Sequence, residues 1–119
     1  MGTPTEELLR GIVPDLEGYL RPRLAGFLGS LLRAFLPQTW SFETEDGTTT
    51  LTIAPDGSAT VAPGAVSAPD VTVAASRARL AELFARRERP AARPADVRVA
   101  AHTAKGRAAV EQMRARFGL

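Results

Sequence analysis

The sequence predicts one α+β domain, and three patterns lead to it. Leucine and phenylalanine recur at helical spacing through the first third of the chain. Alternating strand-like runs then flank two Asp-Gly pairs. Past residue 70, short β-branched runs alternate with capped amphipathic segments. A run of strands set apart from its helices is the α+β pattern. At 119 residues, with 45% hydrophobic and 24% charged side chains, the chain is one domain long and can bury a core without disulfides or metals. No internal repeat or low-complexity linker divides it, so residues 1–119 form a single domain whose first part, 1–37, is helical.

Thr3-Pro4-Thr5-Glu6 opens the first helix as a capping box. Thr3 caps, Pro4 takes the first helical position, and Glu6 is placed to reach back to the cap amide. Leu8, Leu9, Ile12, Leu16, Leu20, Leu24, Phe27, Leu28, Leu31, Leu32 and Phe35 then form one apolar stripe. Pro14 and Pro22 interrupt it, and each is expected to kink the helix or begin a new one, giving two or three helical pieces before Pro37.

Period two takes over at Trp40. Trp40, Phe42 and Thr44 alternate with Ser41, Glu43 and Glu45; Thr49, Leu51 and Ile53 share a face of the next run, and Ser58 to Ala62 follows. Asp46-Gly47 and Asp56-Gly57 separate these runs as type I′ turns, in which both residues take positive φ, so an antiparallel three-stranded meander is expected. After the turn-rich stretch from Pro63 to Pro69, Val71 to Ala74 reads as a fourth strand. Ser76 caps a helix carrying Leu80, Leu83 and Phe84 on one face, stopped by Pro90. Val97 and Val99 suggest a fifth strand. Thr103 caps a last helix with Ala109, Val110, Met113 and Phe117 in a stripe, closed by Gly118.

Composition excludes several classes of function. The chain has no cysteine, which removes disulfides, thiolate metal sites and cysteine nucleophiles and fits a reducing compartment. The formal charge is only +2, whereas nucleic-acid binding needs a clustered basic face. Arg86, Arg87, Arg89 and Arg93, broken by Glu88 and Pro90, read instead as a solvated helix end and loop. The start is polar and acidic, unlike a secretory leader. The longest apolar stretch, Ala25 to Leu36, is interrupted by Gly26, Gly29, Ser30 and Arg33, so no transmembrane segment is expected. The expected location is the cytoplasm, and the Arg- and Ala-heavy composition suggests a bacterial chain.

Candidate chemistry is sparse. His102, the one histidine, is the best candidate for a general base, with Asp70 or Asp96 as its partner. A lone histidine at a strand end reads first as a capping or surface residue, and it does not make a metal site. Glu43 and Glu45 share a strand face opposite Trp40 and Phe42, where carboxylates beside hairpin turns solvate the sheet. Gly26, Gly29 and Gly106 lack phosphate-loop spacing, and Asp56-Gly57-Ser58 is too short for a calcium loop. No catalytic residue, metal or cofactor is assigned.

The element order, with Trp40-Ser41-Phe42, the run from Leu51 to Gly57, Ala68-Pro69-Asp70-Val71-Thr72-Val73, the helix of Ser76, Leu80, Leu83 and Phe84, and Val97-Arg98-Val99, resembles the sterol carrier protein type 2 domain family over residues 38–117. Where that family usually carries glycines, this chain has Arg86-Arg87-Glu88, Pro94-Ala95-Asp96 and Ala101-His102. The resemblance implies a five-stranded mixed sheet with helices on one face and an apolar tunnel between them for sterol, fatty acid, acyl-CoA or a similar lipid. Its expected lining is Trp40, Phe42, Leu51, Ile53, Val61, Val73, Leu80, Phe84, Val99, Val110, Met113 and Phe117. A hydrophobic small molecule is thus the expected partner, with no nucleic acid. The stripe from Leu24 to Leu36 is read as docking on the sheet, forming a homodimer or lying on a membrane, with its thin Arg23 and Arg33 content favouring the first two. Two rival readings stand beside the carrier: an interaction or dimerisation module with a filled core, and an enzyme on a hydrophobic metabolite using His102 or a carboxylate.

Overall fold

In the computed structural model, residues 3–26, 29–85 and 96–117 are described. The order is α1 (Pro4–Ala25), α2 (Gly29–Arg33), β1 (Gln38–Thr44), β2 (Gly47–Ile53), β3 (Ala59–Pro63), β4 (Val71–Ala74), α3 (Arg77–Ala85), β5 (Arg98–Ala101) and α4 (Ala104–Phe117). The cluster Arg86, Arg87, Arg89 and Arg93 lies outside the described residues.

Helix α1 departs from expectation. It runs unbroken through Pro14 and Pro22. Each proline removes one backbone hydrogen bond and crowds the carbonyl four residues back. Those carbonyls belong to Arg10 and Gly18, which are exposed, as are both prolines. The opposite face buries Leu9, Leu16 and Leu24, and three such leucines contribute about 1.5–3 kcal/mol each, comparable in sum to the ~3 kcal/mol cost of each of the two prolines. At the N-terminus the Thr3 hydroxyl accepts from the Glu6 amide at 3.2 Å, while the Glu6 carboxylate pairs with Arg10 at 3.3 Å.

The sheet order is β3-β2-β1-β4-β5. The β1–β2, β2–β3 and β4–β5 pairs are antiparallel and β1–β4 is parallel, so the sheet is mixed. Register places Trp40 beside Leu51 and Val71, and Phe42 beside Thr49 and Val73. Because side chains alternate, these residues share one face with Ile53, Val61 and Val99, and the helices cover that face. Helix α1 packs on β3 and β2, and α4 on β5, β4 and β1. Two α1 side chains also satisfy the outer edge of β3, where an unpaired strand would invite aggregation. Glu17 accepts the Ala59 amide at 3.0 Å, and Arg10 reaches the Val61 carbonyl at 3.5 Å.

Both turns fall at the Asp-Gly pairs, but not as type I′. Only the glycines have positive φ, +107° at Gly47 and +88° at Gly57. The aspartates stay at negative φ and use their carboxylates as acceptors, Asp56 taking the Ser58 amide at 2.9 Å and hydroxyl at 2.6 Å. At Asp56 this local bonding is the Asx-turn alternative to a primed turn, whereas the Asp46 carboxylate accepts from Thr5 and Arg77, far off in sequence.

Strands β3 and β4 are parallel, so residues 64–70 must carry the chain from the end of one to the start of the other. The helices occupy one face; the crossing therefore runs over the other. Thr50 donates its hydroxyl to the Gly64 carbonyl at 2.7 Å. Thr50 and Ser41 point away from the helices yet are only 5% and 3% exposed, whereas Glu43 and Glu45 toward the β1–β2 turn are exposed, as expected of carboxylates there. Ser76 and Thr103 cap α3 and α4 as expected, through the Arg79 amide at 3.1 Å and the Gly106 amide at 2.9 Å. The Glu45 carboxylate adds a second cap on α3, accepting the Arg77 amide at 2.6 Å.

Candidate ligand-binding site

One end of the helix–sheet interface does not close. A hollow of about 190 Å³ lies between the second half of α1, α2, the segment after it, the ends of β1 and β2, and α4. Leu20 and Leu24 line it from α1, Leu32 from α2, Phe35 and Leu36 from the connection, Trp40 and Ile53 from the sheet, and Ala108 and Ala109 from α4. The space follows from side-chain size. Opposite the large Trp40 and Ile53, α4 presents two alanines, too short to fill the gap between layers that elsewhere close around Leu and Phe.

Polar groups are few and placed with purpose. Gln38, 2% exposed, donates both amide hydrogens, to the Phe35 carbonyl at 2.7 Å and the Lys105 carbonyl at 2.8 Å. Its oxygen accepts the Trp40 indole N–H at 3.0 Å. One carboxamide thus joins the connection, α4 and the indole around the hollow, and burial is tolerated because its donors are satisfied. Trp40 stacks on Phe42 with ring centroids 6.3 Å apart, within the favoured range for aromatic pairs. At the rim, the Tyr19 hydroxyl donates to Gln112 Oε1 at 3.1 Å. The Arg23 guanidinium lies 3.8 Å over the Tyr19 ring and donates to the Tyr19 carbonyl at 2.8 Å. Arg23 and Gln112 thus bring donor-bearing side chains to a lining that is otherwise mostly apolar.

Of the residues expected to line a tunnel, Trp40 and Ile53 are at the hollow. Phe42, Leu51, Val73, Leu80, Phe84 and Val110 are buried in the solid core, and Val61 and Val99 are half-buried against it. The side chains of Met113 and Phe117, on α4, lie outside the described residues. Sequence reasoning did not assign Leu20, Leu24, Leu32, Phe35 and Leu36 to the lining, although they belong to the stripe it recognised. Of the stripe from Leu24 to Leu36, Leu24, Leu32, Phe35 and Leu36 face this hollow within the chain, while Phe27, Leu28 and the Leu31 side chain lie outside the described residues. Leu24 is buried, whereas Phe35 at the rim is 42% exposed.

The other candidate groups are engaged elsewhere. His102 is exposed, its Nε2 2.9 Å from the Thr72 hydroxyl. Asp70 accepts the Thr39 amide at 2.9 Å and the Thr103 hydroxyl at 2.8 Å. Asp96 pairs with Arg79 at 3.0 Å, a contact that raises the Arg79 pKa above its ordinary value. Among the described residues no cluster of His, Asp and Glu could hold a metal, and no helix is long and apolar enough to cross a membrane.

No protein-family model and no curated protein sequence matches the chain. Solved structures do. The sterol carrier protein domain 2 of Helicoverpa armigera superposes with a TM-score of 0.60 at 16% identity, over 99% of this chain and 94% of that one. The UbiJ-SCP2 ubiquinone synthesis protein gives 0.51 at 16% identity, over 87% and 92%. The likeness spans nearly the whole of each chain, and what it establishes is the fold.

Proposed function

From the sterol carrier protein type 2 fold that this chain has, we propose that it binds or carries a hydrophobic small molecule in the hollow against Trp40. The single observation that supports this most is the unfilled apolar space between Ala108 and Ala109 on one side and Trp40 and Ile53 on the other. An apolar cavity of about 150 Å³ stays dry and takes up benzene, so about 190 Å³ suits a compact apolar group or part of an acyl chain. It does not hold a whole sterol nucleus. The rim donors Arg23 and Gln112 favour a guest whose exposed end accepts hydrogen bonds or carries negative charge, as a carboxylate does.

Magnitudes bound the affinity. Six buried methylenes contribute about 5 kcal/mol at ~0.8 each, and association removes part of that. A guest confined to the present hollow therefore binds at about 1 mM or more weakly. Tighter binding requires more apolar contact than the hollow now offers.

Trp40 is the chain's one tryptophan and lines the site, so its emission reports occupancy directly. Titration with octanoate should shift and saturate the Trp40 signal, and native mass spectrometry of gently purified protein should show a retained guest. Emission unmoved by octanoate and by dodecanoate, together with a clean unliganded mass, would sink the proposal and leave the filled interaction module as the better reading.

A further inference from the structure

The hollow is smaller than the usual ~300–1,000 Å³ of small-molecule sites, and one of its walls is a single short helix. Helix α2 is five residues long and packs on the end of α1. Its Leu32, with Phe35 and Leu36 just beyond, closes one side of the space. Helix α2 lies close against the Leu24 carbonyl, as two observations show. A Cβ at Gly29 would overlap that carbonyl, so only glycine lets α2 lie where it does. Arg33 donates Nη2 to the same oxygen at 3.3 Å. The Leu24 carbonyl belongs to the last turn of α1, where helix carbonyls need partners from outside the helix. The Leu24 side chain itself lines the hollow.

Resting on the binding reading above, we infer that Gly29 sets how large a guest the chain accepts, with Arg33 as the latch that holds α2 against α1. Both helices line the same space, so the distance between them governs its volume. A methyl group at Gly29 cannot be absorbed by a side-chain shift, because the atom it meets is backbone. Helix α2 must lift, and the space between Leu24 and Leu32 grows. Loss of the Arg33 donor loosens the same contact without forcing it open.

The test compares octanoate and dodecanoate on the full chain, read by Trp40 emission and calorimetry. Gly29→Ala should move the ratio of the two dissociation constants toward dodecanoate by about tenfold, equivalent to ~1.4 kcal/mol. Arg33→Ala, an exposed position that is not expected to disturb folding, should move it the same way by about threefold. Gly11→Ala, where an added Cβ meets nothing, should leave the ratio unchanged and serves as the control. Wild type binding octanoate, with the ratio unmoved in both Gly29→Ala and Arg33→Ala, overturns the role of Gly29 and leaves the binding reading intact. Wild type binding neither acid overturns the binding reading itself. Should Gly29→Ala fail to fold, the Arg33→Ala ratio decides alone.

Discussion

The Thr5 hydroxyl donates to Asp46 Oδ2 at 2.6 Å, across 41 residues of sequence. The Thr5 amide reaches the same oxygen at 3.2 Å, and Arg77 approaches both carboxylate oxygens at 3.2 Å. One aspartate in the β1–β2 turn therefore ties the start of α1 and the start of α3 to the sheet. The hollow lies at the other end of α1, so this tie fixes the axis along which Leu20 and Leu24 reach it.

Asp46 should make stability depend on acid. The Thr5 hydrogen bond, followed by the contacts of Arg77, holds its carboxyl below the ordinary aspartate value despite an opposing desolvation effect. A depressed folded-state pKa contributes stability that is complete above the unfolded value, about 3.9, and is lost as pH falls through the folded value. Asp46→Asn should thus lower Tm at pH 7, and the gap to wild type should narrow as the buffer is taken below about pH 4. A gap that stays constant into that acid range would show that the carboxylate charge is not what holds the two helices.

How far the sequence carried this reading depends on what each signal measures. Alternation from Trp40 to Ala62 reports which side chains face the core, and two Asp-Gly pairs end its runs, so the meander was legible. The unbroken α1 was not. Proline's effect is local, whereas the leucines opposite Pro14 and Pro22 stabilise through contacts made later in the chain. The hollow was harder still, because it is made by what Ala108 and Ala109 lack. Periodicity marks Leu24, Leu32 and Phe35 as facing inward but carries no information about what stands across from them. The burial of Ser41 needed the sheet order, since only the parallel pairing of β4 with β1 sends residues 64–70 across the back face.

Ser41 and Thr50 make a matched pair beneath that crossing. The Ser41 hydroxyl is buried and bonded to no group among the described residues, whereas the Thr50 hydroxyl bonds to Gly64. Removing an unsatisfied buried hydroxyl costs nothing or stabilises by up to about 1 kcal/mol, whereas removing a bonded one costs about 0.5–1.5 kcal/mol. Ser41→Ala should therefore hold or raise the denaturation midpoint and Thr50→Val should lower it, at an unchanged slope. Equal losses in both variants would mean that a bridging water satisfies Ser41.

The glycines of α1 and α4 should answer differently to alanine. At Gly11 an added Cβ meets open space, but at Gly106 it would overlap the Asp70 carbonyl, which already accepts the His102 amide at 2.8 Å. Gly11→Ala should gain about 0.5–1 kcal/mol from reduced chain entropy. Gly106→Ala should lose about 1–3 kcal/mol by forcing α4 off β4. Thermal unfolding of the two variants side by side reads the contrast, and a Gly106→Ala protein as stable as wild type would show that α4 is free to shift.

Filling the hollow should separate stability from binding. Ala109 faces it from α4, half-buried, and Ala109→Leu adds three carbons where no side chain stands. If the space is real and apolar, those carbons gain about 2 kcal/mol at ~0.8 each, less the strain of any misfit, so Tm should hold or rise. The same carbons occupy much of the room a guest would use, and the Trp40 response to octanoate should weaken by about tenfold or vanish, equivalent to ~1.4 kcal/mol or more. A substitution that merely damaged the fold would lower both together. Stability kept with binding lost is the result expected only of a site that is empty in order to be filled, and undiminished octanoate binding in a stable Ala109→Leu protein would place the guest somewhere else.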